Sequence, residues 1–163
     1  MKLNNLFTSA LMVLNCTLVL AAPEKLSPAD ENAAYKAAGF VLKDTQWHSC
    51  DDPTPTYSPG MIKQVRDING DNRPEAVISE GGTYCYGNTG AGYSLVSKQT
   101  NSSWKLITSG TGIINFLTTK GVGGWLDIEI GGPGFCFPVN RWNGKEYVLN
   151  RYQYEGKRCR PNN

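Results

Sequence analysis

The sequence predicts a mainly β domain: antiparallel sheets from two related β units, one short N-terminal helix, and disulfide staples. Three observations carry this. After Gly39, apolar and polar residues alternate with the period of a strand in runs of four to nine residues. Turn residues separate those runs, drawing on the 18 Gly and 9 Pro of the 163-residue chain. The cysteines outside the N-terminal leader are even in number, as a disulfide framework requires.

The leader comes first. "MKLNNLFTSALMVLNCTLVLAAPEK" has a charged start at Lys2, an apolar core over Leu11–Leu20, and small or medium residues at Val19 and Ala21. This reads as a secretory signal peptide spanning residues 1–21. Asn15 and Thr17 interrupt a run already short for a membrane anchor. A lipoprotein signal would need Cys16 behind a small residue, and Asn15 stands there. Residues 22–163 then form one β-rich domain, periplasmic or secreted, with no membrane contact expected after cleavage. The formal charge is +2, or +1 without Lys2, and no basic run occurs. Electrostatics therefore offer no case for nucleic acid.

"SPADENAAYKAAG" predicts a helix over residues 27–39. Ser27 is its N-cap, Pro28 takes the first helical position, Asp30 completes an S-x-x-D box, and Gly39 stops it. Ala34, Ala37 and Ala38 form a packing stripe suited to lie over a sheet. Strands are expected near 45–50, 61–66, 75–79, 83–86, 93–98, 104–108, 125–130, 136–142 and 146–154. A Pro-rich loop, "DDPTPTYSPG", occupies residues 51–60. Asn143-Gly144 predicts a type I′ hairpin between the last two strands.

A repeat emerges within this pattern. "PEAVISEGGTYCY" and "LDIEIGGPGFCF" each pass from an acid-bearing apolar strand through glycines to aromatic–Cys–aromatic. The period falls in the range of β-propeller blades, but two copies cannot close a ring. Export makes Cys50, Cys85, Cys136 and Cys159 candidates for two disulfides, with three connectivities open. If Cys85 and Cys136 are equivalent positions, their partners are Cys50 and Cys159. The pairing Cys50–Cys85 and Cys136–Cys159 follows, each bond worth about 3–4 kcal/mol by loop entropy.

The densest polar stretch is "DINGDNRPE". Asp67, Asn69 and Asp71 take loop positions 1, 3 and 5, the Arg73 carbonyl position 7 and Glu75 position 9. Alternate oxygens on a tight loop can converge on a hard cation, calcium best of all. An EF-hand is excluded, since Asn72 stands where Gly is needed and Ile78 where Glu is needed. The alternative is a turn in which Asp and Asn cap backbone N–H groups. Over Val65 to roughly Ser79 the chain resembles the loop of FG-GAP or VCBS-type repeats, where "DxNGDG" lies between two strands. "SCDD", "CYGN", "GGPGFCFP" and "RWNGKEY" are similar to stretches of small exported bacterial proteins with FG-GAP-like repeats. The resemblance implies a fold and the loop, and no activity. The second unit departs from it, with "GVGGWLDIE" where a second Asp/Asn loop would stand.

Two function classes remain. One is a non-catalytic binding module of the bacterial envelope or exterior. It would present Tyr84, Tyr86, Tyr93, Trp125, Phe135 and Phe137 to a protein or glycan partner, as a periplasmic inhibitor or toxin-immunity protein does. The other is a small hydrolase using Asp127 and Glu129, which share a strand face. Alternation predicts that these two acids simply face solvent. His48 is the only histidine, no G-x-S-x-G occurs, and the glycines of "GNTGAG" and "GVGG" lack the context of a nucleotide site.

Overall fold

The computed structural model describes residues 25–161; the signal peptide expected over residues 1–21 lies outside that range. The sequence signals of the helix are realised closely. It runs Pro28–Ala37 (α1), and the Ser27 hydroxyl accepts the Asp30 N–H at 3.2 Å. Gly39 ends it with φ of 84°, while Phe40 N–H bonds back to the Tyr35 carbonyl.

Eleven strands follow among the described residues, in two antiparallel sheets. The first sheet has six in sequence order: β1 (Val41–Lys43), β2 (Gln46–His48), β3 (Ser58–Arg66), β4 (Glu75–Gly81), β5 (Ala91–Lys98) and β6 (Trp104–Thr111). The second runs β7 (Ile113–Lys120), β8 (Leu126–Gly131), β9 (Phe137–Trp142), β10 (Tyr147–Tyr154) and β11 (Lys157–Arg158), also in sequence order. Each unit of the sequence repeat is thus a meander, β3 to β6 in one sheet and β7 to β10 in the other. The disulfides join Cys50 to Cys85 and Cys136 to Cys159, the pairing that equivalence of the two units implies.

Three layers result. On one side of the first sheet, Ala76, Ile78, Val96 and Trp104 pack under Ala34, Tyr35, Leu26 and Phe40. Asp30 anchors α1 there, accepting the Trp104 indole N–H at 3.0 Å and pairing with Lys98 at 2.9 Å. On the other side Val77, Leu95 and Ile68 meet Ile107, Ile114, Phe116, Leu126 and Tyr147, most of them from the second sheet. β4 is therefore covered on both faces, which is why Ala76, Val77 and Ile78 are apolar in succession rather than alternating with polar residues.

The structure corrects four local expectations. Residues 83–86, expected as a strand, form one helical turn (α2, Thr83–Tyr86) in which Tyr86 N–H reaches the Gly82 carbonyl. Alternating aromatics mimic a strand, but the glycines on either side let the chain coil, and Cys85 is tied back to Cys50. Ile113–Lys120 is a strand that alternation missed: it lies at the sheet edge, pairing only with β8, so its outer residues stay exposed. Asn143-Gly144 does not form a type I′ turn. Trp142 pairs with Tyr147 across a four-residue loop, and only Gly144 has positive φ. Asn143 Oδ1 instead accepts the N–H groups of Lys145 and Glu146 at 2.8 and 2.9 Å. Finally β3 begins at Ser58, inside the Pro-rich stretch, with Pro59 at a register shift that spares the missing donor.

No helix among the described residues is long and apolar enough to cross a membrane. Because Leu95 is fully buried between the sheets, Leu95→Ala is expected to lower unfolding free energy by about 3 kcal/mol in urea titration. Leu149→Ala, at an exposed position, should change it by less than about 0.5 kcal/mol.

Candidate functional site

The strand register places the loops at two ends of the sandwich. One end carries "DINGDNRPE" between β3 and β4, together with the β7–β8 connection. The other carries the residues before β3, α2, the β8–β9 connection, β11 and both disulfides.

At the first end, Asp67 serves as the hub of the loop. Its Oδ1 accepts the N–H groups of Asn69, Gly70 and Asp71 at 3.2, 2.7 and 3.2 Å, and its Oδ2 accepts that of Asn72 at 2.9 Å. Partial burial pushes this carboxyl up, but the four donors outweigh it and hold the pKa below the ordinary value. Asn69 Oδ1 accepts the Asp71 N–H at 2.9 Å, and Asp71 accepts the Arg73 N–H and pairs with its guanidinium. Glu75 points inward, accepting Ile68 N–H at 2.8 Å and the Ser97 hydroxyl at 2.7 Å. In this arrangement the oxygens face N–H and O–H donors, and the Arg73 guanidinium already supplies the positive charge. The arrangement is that of a turn whose Asp and Asn side chains cap backbone N–H groups. Among the described residues no group of three or more His, Cys, Asp or Glu is placed to hold a metal ion. The loop is buttressed from the second unit. Gly124, with φ of 82°, lies so close to the Asn69 carbonyl that a Cβ there would meet it at 2.5 Å.

Asp127 and Glu129 share a strand face, as alternation predicts, but Asp127 is not solvated: it is fully buried. Arg141 grips it bidentately at 2.9 and 2.8 Å, Arg151 adds a contact at 3.2 Å, and the Thr119 hydroxyl donates as well. Burial raises this carboxyl, but those donors more than compensate, leaving it below the usual carboxylate range. Glu129 accepts from Gln153 at 2.7 Å. A carboxylate clamped by two guanidiniums neither gives up nor takes up a proton near neutrality, so the pair is poorly suited to acid–base hydrolysis.

A third polar cluster went unread in the sequence. Glu80 is buried and accepts from Ser49 N–H and hydroxyl, Tyr57 and Tyr86. Burial and this carboxylate push the Tyr86 phenol up to about 12. The cluster pins the segment before β3 to α2, alongside the Cys50–Cys85 bond. Nothing local marks it, because Ser49, Tyr57, Glu80 and Tyr86 are scattered over three segments.

The six aromatic candidates separate. Tyr93 is only 7% exposed, within β5. Trp125 lies at the opposite end, half-buried, its ring 5.0 Å from Trp142 and 6.2 Å from Tyr147. Tyr86 is half-buried over Gly92, whose position would place a Cβ 2.1 Å from the ring. That leaves Tyr84 at 68% exposure and Phe135 at 71%, with Phe137 half-buried at the start of β9. Tyr84 and Phe135 each adjoin a disulfide cysteine at the same end, and the two loops meet where Gly132 faces Thr89 at 3.5 Å from a built Cβ. Tyr154, not anticipated, joins them: its ring is 6.2 Å from Phe135 and 6.1 Å from Phe137.

The fold and this end define the class: a disulfide-stapled, two-sheet antiparallel β domain that exposes aromatic residues at one end. No family model, no curated protein and no solved structure matches the chain.

Two outcomes test the first end of the sandwich. Asp67→Ala, which strands four N–H groups, should cost about 1–2 kcal/mol, and thermal midpoints in millimolar calcium and in EDTA should coincide. A calcium-dependent rise abolished by Asp71→Ala would reverse this assignment. Burial raises Glu75 from 4.5 to about 7. Between those values the folded state keeps a proton that the unfolded chain has released, so stability falls as pH rises from 4.5 to 7 and then levels off. The loss attributable to Glu75 is at most about 3 kcal/mol. Chemical denaturation of Glu75→Gln across this range should lack that decline.

Proposed function

We propose that this protein is an exported, non-catalytic binding module that engages a protein or glycan partner through the end carrying both disulfides. The observation that carries this reading is the exposure of Tyr84 and Phe135 on loops that are covalently fixed. Leaving large aromatic surface in water is unfavourable, and residues of this kind anchor interfaces. Fixing the loops beforehand lowers the entropy lost on binding. Export is supported by the leader-like N-terminus and by two disulfides, which persist in oxidising compartments. The FG-GAP-like loop serves, on this reading, as a structural turn joining β3 to β4.

The hydrolase alternative draws less support, since Asp127 is engaged on both oxygens. Its role is structural, and Asp127→Asn is expected to destabilise the fold by weakening a buried pair.

A photo-reactive residue at position 135 is expected to cross-link a discrete partner in envelope extract, while one at Met61, also exposed at 55% but on β3, does not. Equal yields at both positions would sink the proposal. Phe135→Ser should leave the thermal midpoint within a few degrees of the parent.

A further inference from the structure

The partner's chemistry can be argued from what surrounds the aromatic residues. The Cys136–Cys159 bond, with Cα atoms 5.7 Å apart, sets the backbone flanking Phe135 and Phe137 alongside that flanking Arg158 and Arg160. Lys157 pairs with Tyr154 across the β10–β11 turn. The three cations are exposed, and among the described residues none of them makes an ion pair. Glu155, in the turn itself, is the one acid in the stretch from Tyr154 to Arg160. Elsewhere in the fold Arg73, Lys98, Arg141 and Arg151 each hold a carboxylate, and the other cations without an ion pair among the described residues are scattered, whereas Lys157, Arg158 and Arg160 fall within four residues of one another. Here three cations without an ion pair flank Cys159, whose disulfide partner Cys136 stands next to Phe135, itself 71% exposed.

The rings also discriminate between partner types. Phe135 and Tyr154 meet at 69°, Phe137 and Tyr154 at 52°. No flat pair of coplanar rings is offered, such as would lie parallel to a sugar face. Two of the three rings have no hydroxyl to bond a glycan. Phe, Tyr and Arg together are instead the residues over-represented at protein interfaces.

We infer that the Cys136–Cys159 end binds an acidic segment of a partner protein, with apolar side chains of that segment on Phe135, Phe137 and Tyr154 and its carboxylates on Lys157, Arg158 and Arg160. This rests on the binding-module reading and narrows it. Charge supplies the rate and orientation of encounter, and the rings supply the contact that persists.

The test uses the oxidised mature protein and a synthetic acidic peptide of alternating Glu and Leu, against the same peptide with Lys for Glu. Titration calorimetry over a range of salt concentrations reads the outcome. The acidic peptide is expected to bind about tenfold or more tightly than its Lys counterpart, weakening as salt rises. The pair R158E/R160E should lose that preference. Phe135→Ser should weaken binding about tenfold while leaving the salt dependence in place. Equal binding of both peptides, or indifference to R158E/R160E, overturns the acidic partner. The binding-module reading fails separately, if position 135 cross-links no more than position 61. Equal sensitivity to R158E/R160E in binding to phosphatidylglycerol vesicles would assign the surface to anionic lipid and overturn the inference as well.

Discussion

Two-sided burial of β4 and β5 is the constraint on which the rest of this structure depends. Ala76, Ile78 and Val96 need a cover on one side, and Val77 and Leu95 need one on the other. A single sheet cannot satisfy both demands. The helix answers the first with small alanines that allow close approach, clamped by Asp30. The second β unit answers the other by presenting its own apolar face. The short helix and the duplicated meander are thus two solutions to one problem, which is how a chain of this size closes its core without a third sheet.

Five acids of this protein are architecture. Asp30, Asp67, Glu75, Glu80 and Asp127 each receive several donors from distant or local backbone and side chains. Removing one partner from such a cluster leaves a desolvated group, so these residues behave as fasteners whose loss is felt in stability. Glu75 differs from the rest. Its burial outweighs its donors, and it spends stability that the surrounding apolar contacts supply.

The two ends of the sandwich carry different duties. At one, the two β units brace each other, with the Asp67 loop seated on Gly124. At the other, covalent bonds replace packing: the Cys50–Cys85 and Cys136–Cys159 bridges hold loops that bury little apolar surface of their own. A loop so fixed can leave Phe135 in water without collapsing onto the core, which is the condition for a preorganised contact surface.

Local chemistry made part of this legible in the sequence. The cap of α1, its glycine stop, most strands and the fold class all follow from interactions within a few residues. The disulfide pairing was legible for a different reason, because the repeat made two cysteines equivalent. What the tertiary structure alone decided involves partners brought together by register. Asp127 looks like an outward strand residue until Arg141 and Arg151, 14 and 24 positions on, fold across it. Tyr84-Cys85-Tyr86 and Phe135-Cys136-Phe137 are nearly the same word, yet one coils into a helical turn and the other enters a strand. Tyr93 and Phe135 are equally aromatic, yet one is core and the other surface. Alternation reports which side a residue points to, but whether that side meets water or protein depends on which strands and segments pack there, and the period of a strand holds no information about its neighbours.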